Sequence, residues 1–182
     1  NIGLGAANDE KLVERIGRAA AEEMYATGIR WTFAPTVGLP FNERWGRTYE
    51  CFGEEASLVS RMGAAYVRGF QGLESEEDFL KGRTAVATVK HYIGEGQTED
   101  GINQGNVTMD KARFEEFLHS ELLEPYKTAI EAGARSVMIS YNSVDGLKCH
   151  ENELLITDIL KGELGFDGIV VSDYNGVDQV RG

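Results

Sequence analysis

Cysteine and histidine are too scarce and too widely separated in this sequence to suggest a metal site. The two cysteines, Cys51 and Cys149, lie far apart and in no spacing typical of metal ligands. The three histidines, His91, His119 and His150, are equally scattered along the chain. We therefore expect no metal centre, and the cysteines do not indicate a redox compartment.

Long apolar runs and an excess of positive charge are also lacking. No apolar run approaches the roughly 18 residues that a membrane-spanning helix requires. The 182 residues carry a formal net charge of -12, whereas binding to nucleic acid phosphates or to anionic lipid requires clustered Lys and Arg. We expect neither nucleic acid nor a membrane surface as a partner.

The sequence has no repeat, linker or low-complexity stretch, and it shows instead a regular alternation of helix and strand patterns. Apolar residues at three- and four-residue spacing predict helices over 9–27, 54–71, 110–133 and 153–164. Pro125 is expected to kink or divide the third of these helices. Short apolar runs predict strands over 31–37, 85–93, 136–141 and 168–172.

Short apolar strands that alternate with helices are typical of a parallel sheet covered by helices on both faces. The predicted fold class is α/β: part of a (β/α)8 TIM-type barrel, with about four βα units whose C-terminal strand ends form the site. The chain begins without a methionine, and no helix is predicted after its last strand. We expect a fragment that exposes two unpaired strand edges and cannot hold its fold alone.

The turn after the last predicted strand supplies the first candidate for a catalytic group. The β-branched run 169–171 delivers one carboxylate, Asp173, into a tight turn. The C-terminal ends of the strands in α/β proteins are where their chemistry takes place. An Asp also occurs in such turns to bond its own backbone, here before Asn175, so the turn alone leaves both interpretations open.

The other predicted strands are also followed by polar residues. Lys90 and His91 end the second strand, Tyr141 ends the third, and Arg47 lies in the loop after the first. Adjacent strand residues face opposite ways, so one of Lys90 and His91 is expected to point into the barrel, where an unpaired cation is costly. Each residue also has a purely structural alternative. Lys90 and His91 could form a solvated strand end, Tyr141 could be a core side chain, and Arg47 could form a surface ion pair. Because neighbouring strand ends meet at one mouth, we expect these groups to share a pocket with Asp173.

The loop 94–106 is long and rich in glycine and amides, which is typical of a binding loop. It lacks the third glycine and the helix context of a dinucleotide fingerprint, so we do not expect it to hold a phosphate. Its three acids, Glu95, Glu99 and Asp100, are expected to be solvated, because exposed acids are the norm.

Four segments together resemble the barrel domain of glycoside hydrolase family 3: RWGRTYE (44–50), TVKHYIGEGQTEDGIN (88–103), VMISYNSVDGLKCH (137–150) and ITDILKGELGFDGIVVSDYNG (156–176). They cover essentially the whole chain in order, and within the family they look like the β-glucosidase and β-glucan exohydrolase branch. The resemblance implies a retaining hydrolase that cleaves terminal β-linked glucose from β-glucosides or β-glucan oligosaccharides, without a cofactor.

The resemblance also implies roles for individual residues. Asp173 matches the catalytic nucleophile, and Tyr141 matches the tyrosine that lies against it. The residues that match those holding the sugar hydroxyls are Arg47, Lys90 and His91. Tyr174 stands where a tryptophan usually flanks the leaving-group side.

Two acidic residues of the family pattern are missing from this sequence. One is the acid/base, usually a Glu of a second domain, and the other is an aspartate of an earlier strand that binds the same sugar. The resemblance therefore implies that 1–182 is an incomplete barrel domain. Its implied partner is the missing remainder of the same polypeptide, which includes the second domain.

Other functions remain open at this stage. A β-xylosidase of the same family is one, and a non-catalytic remnant that binds sugar without cleaving it is another. The N-acetylhexosaminidase branch is disfavoured, because its K-H motif continues into a His-containing loop that is absent after His91. Outside the family, Lys90 on a barrel strand suits a Schiff-base lyase, although His91 and the RWGR loop favour a sugar.

Overall fold

Helices and short strands alternate along the chain. The structure, a computed structural model, describes residues 1–73, 77 and 79–180. The α-helices are α1 (Ile2–Ala7), α2 (Glu10–Ala26), α3 (Ala56–Gln71), α4 (Lys111–Phe117) and α5 (Glu124–Glu131). Two further helical segments, Leu118–Leu122 and Leu154–Glu163, have the wider π-type hydrogen bonding. The strands are β1 (Thr88–Tyr92), β2 (Asn106–Val107), β3 (Ser136–Ile139), β4 (Ser143–Val144), β5 (Leu147–Lys148) and β6 (Ile169–Ser172).

The main sheet is parallel and has the strand order β1-β3-β6. Thr88 of β1 pairs with Ser136 of β3, which in turn pairs with Ile169 of β6. Within this sheet, each strand therefore lies beside the strand that follows it in the sequence. Helices lie in the connections, as in consecutive βα units of a barrel. The predicted α/β barrel-type fold class is confirmed.

The prediction of a regular strand over 31–37 is wrong. In the described structure this segment makes two isolated parallel bridges: Trp31 pairs with Val86, which precedes β1, and Thr36 pairs with Lys90 of β1. The register slips by one residue between the two bridges, and Pro35, which has no N–H to donate, lies within this interval. The segment still lies beside β1, on the side away from β3, where the first strand was expected.

The predicted helices are confirmed to within about two residues at most ends. Asp9 caps α2, since its Oδ1 accepts a hydrogen bond from the Leu12 N–H at 3.0 Å. The third predicted helix is divided, because the π-type segment Leu118–Leu122 precedes α5 and Pro125 occupies the first turn of α5. A proline is tolerated there because the first N–H groups of a helix have no intrahelical partner.

Two features were absent from the sequence prediction. One is the short helix α1, and the other is a second small sheet in which β2 pairs with β4 in parallel and β4 pairs with β5 antiparallel. Strands of two residues show no measurable alternation, so periodicity cannot reveal them.

Apolar side chains fill the interior between the main sheet and helices α2, α3 and α5. Others are exposed at both sides of that sheet. On the side of the 31–37 segment the exposed residues are Ile29, Trp31 and Phe33, and on β6 Ile169 is 53 % exposed. No helix among the described residues is long and apolar enough to cross a membrane.

Candidate active site

Asp173 lies in the turn after β6, and its two carboxylate oxygens have different surroundings. Oδ1 accepts a hydrogen bond at 2.7 Å from the N–H of the next residue, Tyr174. Oδ2 has no hydrogen-bond partner among the described residues. Nε2 of His91 lies 3.5 Å from this oxygen. The turn therefore occupies one oxygen and leaves the other directed at the strand-end residues.

His91 of β1 is the most enclosed member of the site, with only 2 % of the residue exposed. Its Nε2 lies 3.0 Å from Nη2 of Arg47 as well as 3.5 Å from Asp173. Its Nδ1 faces Glu95 Oε1 at 3.6 Å. The main-chain oxygen of His91 accepts a hydrogen bond from the Tyr126 hydroxyl at 2.6 Å, so the backbone beneath the ring is also held.

Arg47 is bound to Glu50 by two hydrogen bonds in the fork geometry that guanidinium and carboxylate groups favour. Nε and Nη2 of Arg47 lie 2.8 Å and 3.0 Å from the two carboxylate oxygens. Burial opposes the charge of Arg47, but the hydrogen bond to Glu50 and the charges of Glu50, Asp173 and Glu95 together raise its pKa. The Arg47 hydrogen bond lowers the pKa of Glu50 against the opposing effect of burial. Both partners are therefore held in their charged forms.

Lys90 and His91 both reach this site, although regular alternation predicts that only one of them does. The register of β1 against β3 shifts between Val89 and Tyr92, which breaks the alternation at these two residues. Among the described residues the Lys90 ammonium makes no hydrogen bond or ion pair. Burial and the charge of Arg47 lower the pKa of Lys90, and neighbouring carboxylates only partly offset them.

Tyr141 and Tyr174 border the same carboxylate. The Tyr141 hydroxyl donates a hydrogen bond to the main-chain oxygen of Tyr174. Burial and the Asp173 carboxylate raise the pKa of Tyr141, whereas the Arg47 charge opposes them. The Tyr174 side chain is 81 % exposed and extends from the turn into solvent. It thus borders the site without enclosing it.

The structure therefore brings Arg47, Glu50, Lys90, His91 and Asp173 together, a group we call the Asp173 cluster. The prediction that Glu95 is solvated is wrong, because Glu95 is 2 % exposed and packs behind His91. Glu99 and Asp100 are exposed as predicted.

Sequence reasoning missed a further histidine beside the nucleophile candidate. His150 Nε2 lies 3.1 Å from Ser172 Oγ, and the same hydroxyl contacts the main-chain oxygen of Asp173 at 2.6 Å. Burial is the largest influence on the pKa of His150 and lowers it, although the Asp173 charge acts in the opposite direction. Gly176 packs so close to this imidazole that a Cβ there would collide with Nε2. In the sequence, only Gly176, which follows Asp173 closely, indicates this close approach.

The burial of Glu95 also has a signal in the sequence. It stands between Gly94 and Gly96, and a Cβ at Gly96 would collide with the main-chain oxygen of Leu39. Glycines that allow two backbones to approach closely indicate a packed segment, not a solvated loop.

The chemistry of the cluster is that of an anion held among cations. Among the described residues no group of three or more His, Cys, Asp and Glu side chains is arranged to hold a metal ion. A carboxylate oxygen free of hydrogen bonds and flanked by Arg and Lys side chains suits attack on an electrophilic carbon. The surrounding N–H donors suit a ligand rich in hydroxyl groups.

Comparison with known proteins identifies relatives along the whole chain. Residues 1–181 match the family model of the glycosyl hydrolase family 3 N-terminal domain. The crystal structure of an exo-1,3/1,4-β-glucanase from a Pseudoalteromonas species is 48 % identical, with a TM-score of 0.93 over 99 % of this chain and 22 % of that chain. A β-glucosidase from Listeria innocua, solved in complex with glucose, is 36 % identical, with a TM-score of 0.89 over 97 % of this chain and 24 % of that one.

A curated relative gives the same result from sequence. A β-xylosidase from Formosa agariphila is 37 % identical over 95 % of this chain and 23 % of its own length. The chain thus spans about a quarter of the length of the proteins that it matches. With the family model matched over nearly every residue, the chain belongs to glycosyl hydrolase family 3, as part of its N-terminal domain.

Proposed function

We propose that the protein containing this chain is a retaining glycoside hydrolase that releases terminal β-linked glucose from β-glucosides or β-glucans. Asp173 is its nucleophile. The observation that carries this assignment is the unpaired Oδ2 of Asp173, directed at His91 at the C-terminal end of a parallel strand. The family membership of the chain supports the reaction class.

The reaction proceeds by attack of Asp173 on the anomeric carbon. The bond to the leaving oxygen breaks as the bond to Oδ2 forms, which gives a covalent glycosyl-enzyme that water then hydrolyses. The positive charges of Arg47 and Lys90 interact with the Asp173 carboxylate. Because Oδ1 is already held by the Tyr174 N–H, the carboxylate is oriented when the sugar arrives.

The neighbouring side chains bind the sugar that is cleaved. Arg47, Lys90 and His91 provide hydrogen-bonding groups at fixed positions, as recognition of several hydroxyls requires. Tyr141 lies against the nucleophile, and the exposed ring of Tyr174 supplies an aromatic surface on the leaving-group side. The Listeria innocua relative, solved in complex with glucose, supports a glucoside as substrate.

The remainder of the polypeptide completes the domain and supplies the acid/base. Glu50 of the Asp173 cluster is bound to Arg47, and Glu95, outside the cluster, lies behind His91, so neither carboxylate faces the leaving group. The second carboxyl of a retaining enzyme lies about 5 to 5.5 Å from the first. We place it on a second domain, a proposal supported by the small share of each relative's length that this chain covers.

The first experiment is covalent labelling of the full-length protein. A 2-deoxy-2-fluoro-β-glucosyl fluoride slows hydrolysis of the intermediate, so mass analysis of peptides is expected to find one fluoroglucosyl group on Asp173. Asp173→Asn is expected to remove the label, whereas Asp178→Asn, which changes an exposed carboxylate nearby, is expected to keep it. A label on another carboxylate would contradict the role of Asp173, and sugar binding without any label would favour the non-catalytic alternative.

A β-xylosidase is the second candidate, because the Formosa agariphila relative bears that name. Xylosides lack the hydroxymethyl group of glucosides. Comparison of kcat/KM for nitrophenyl β-glucoside and β-xyloside in the full-length protein decides between them, and we expect the glucoside to be favoured.

A further inference from the structure

Glu95 is a buried carboxylate for which the proposed chemistry has no direct use. Its Oε1 accepts a hydrogen bond from the His91 main-chain N–H at 3.1 Å and lies 3.6 Å from the Nδ1 of the same residue. Neither Oε2 of Glu95 nor Nδ1 of His91 has a hydrogen-bond partner among the described residues. Burial of a carboxylate is costly unless it is paired, so the position calls for an explanation.

The contact between Arg47 and His91 decides which ring nitrogen carries the proton. A guanidinium has only donors, so Arg47 Nη2 at 3.0 Å requires His91 Nε2 to be the acceptor. In the neutral imidazole the proton then resides on Nδ1, and the carboxylate facing Nδ1 is Glu95. The separation of 3.6 Å is longer than a hydrogen bond, and such contacts tighten when a substrate binds.

We propose that Glu95 is a positioning residue that accepts a hydrogen bond from the Nδ1–H of His91 and, together with the Arg47 donor, keeps Nε2 as an acceptor. This role rests on the proposed function of the Asp173 cluster. In the other tautomer, the Nε2 proton would point at the Arg47 donor and at the free Oδ2 of Asp173. It would then occupy the oxygen that attacks the sugar. Glu95 itself lies on the Nδ1 side of the ring, away from Asp173, and touches no substrate.

Gly38 gives independent support, because it leaves the space that the Glu95 carboxylate occupies. A Cβ at Gly38 would collide with Oε1 of Glu95 and approach its carboxyl carbon. The atom that it meets is the end of a flexible side chain, so Gly38→Ala displaces the carboxylate without altering Glu95 chemically. This provides a second way to remove the contact with His91.

The direct test is the tautomer of His91 in the full-length protein. Magic-angle-spinning NMR of protein labelled with ¹⁵N-histidine distinguishes protonated from unprotonated ring nitrogens, and a His91→Gln variant identifies the His91 signals. We expect an Nδ1–H signal in the wild type, and a mixture or an Nε2–H signal in Glu95→Ala and Gly38→Ala. An Nε2–H tautomer in the wild type would overturn the proposal.

Kinetics provide a readout that a purely structural role would not reproduce. At metal sites, removing a partner that orients a histidine lowers activity or metal affinity by about 10- to 100-fold. We expect a loss of that size in kcat/KM for Glu95→Ala, mostly in kcat. Glu95→Gln retains an acceptor oxygen and is expected to recover most of the activity. Glu99→Ala, which changes an exposed acid of the same loop, is expected to behave as wild type.

The outcomes separate this proposal from the proposed function. A folded Glu95→Ala variant with wild-type kcat/KM would overturn the role of Glu95, as would a Gln variant as impaired as Ala. A wild-type protein without glycosidase activity would instead refute the proposed function, and the tautomer spectra would still decide what Glu95 does. If Glu95→Ala does not fold, Gly38→Ala and the wild-type spectrum give the answer.

Discussion

Lys90 is a residue whose pKa is lowered by its surroundings. Burial and the Arg47 guanidinium lower its pKa, and the carboxylates of Glu50, Asp173 and Glu95 offset only part of this effect. The ammonium therefore loses its proton at a lower pH than an ordinary lysine, whose pKa is about 10.4. Because the proposed role of Lys90 is to donate to sugar hydroxyls, this loss of charge weakens binding.

We predict that KM for a nitrophenyl β-glucoside rises in the full-length protein between neutral pH and the ordinary lysine pKa. Lys90→Arg is expected to weaken binding at neutral pH but to abolish the alkaline rise, since a guanidinium stays charged there. Lys127→Arg, which changes an exposed lysine, serves as the matched control. An alkaline rise of KM that persists in Lys90→Arg would assign it to another group.

Individual site residues differ in how far the sequence reveals them. Asp173 follows one predicted strand, and Lys90 and His91 lie near the end of another. Because parallel strand ends meet at one mouth, their proximity is predictable. Glu95 is not predictable in the same way, because its burial depends on a close approach between its own loop and Gly38, far away in sequence. Tertiary packing of this kind leaves only the glycines as a trace.

The turn after β6 is the element that holds the nucleophile candidate, and it is supported by His150. The imidazole contacts Ser172 Oγ at 3.1 Å, and Gly176 packs directly against the ring. An alanine at 176 would meet the imidazole and the Ser172 hydroxyl together. Either the imidazole or the turn that carries Asp173 must then shift.

We predict that Gly176→Ala lowers kcat of the full-length protein by about 10- to 100-fold, since small misplacement of a reacting group has effects of this order. The unfolding transition is expected to change little, because the site lies at a turn and not in the main core. Gly3→Ala, at a helical glycine with open space around it, is the control for the added methyl group. Wild-type kcat in Gly176→Ala would show that this support is unnecessary.

At the level of elements, periodicity succeeds where the chain is amphipathic over several turns. Helices α2 and α3 were predicted for this reason, and each begins and ends within about two residues of the predicted bounds. The segment 31–37 has the composition of a strand, but it forms only two isolated bridges, whose register slips by one residue around Pro35. The π-type hydrogen bonding of Leu154–Glu163 has no periodic signature of its own, so the sequence predicted an ordinary helix there.

The whole molecule has a sheet with two apolar sides that nothing in the described structure covers. Trp31 and Phe33 are exposed at one side, with Phe33 52 % exposed, and Ile169 is exposed on β6 at the other. Soluble proteins rarely expose such apolar groups along unpaired strand edges. Because relatives of this chain are about four times as long, we propose that the rest of the polypeptide covers both sides.

The exposed apolar sides of the sheet predict that one pair of substitutions has opposite effects on residues 1–182 alone and on the full-length protein. Expressed alone, residues 1–182 are expected to associate and to melt without a sharp transition, and Phe33→Ser with Ile169→Thr is expected to reduce the association. In the full-length protein the same pair is expected to destabilise, by about 1.5–3 kcal/mol for each apolar side chain that is no longer buried. Light scattering and thermal melting measure the two effects.

Tyr49→Ser is the control for loss of an exposed aromatic ring, because Tyr49 is 65 % exposed and belongs to the helical turn Thr48–Glu50, not to a strand of the main sheet. It is expected to change neither association nor melting in either setting. A monomeric 1–182 with sharp cooperative melting would contradict the prediction, because the exposed apolar sides would then need no cover. The pair of substitutions could instead reduce the association of 1–182 and destabilise the full-length protein. That result would show that the surface through which the short chain associates is buried inside the complete protein, because apolar side chains stabilise only where they are buried.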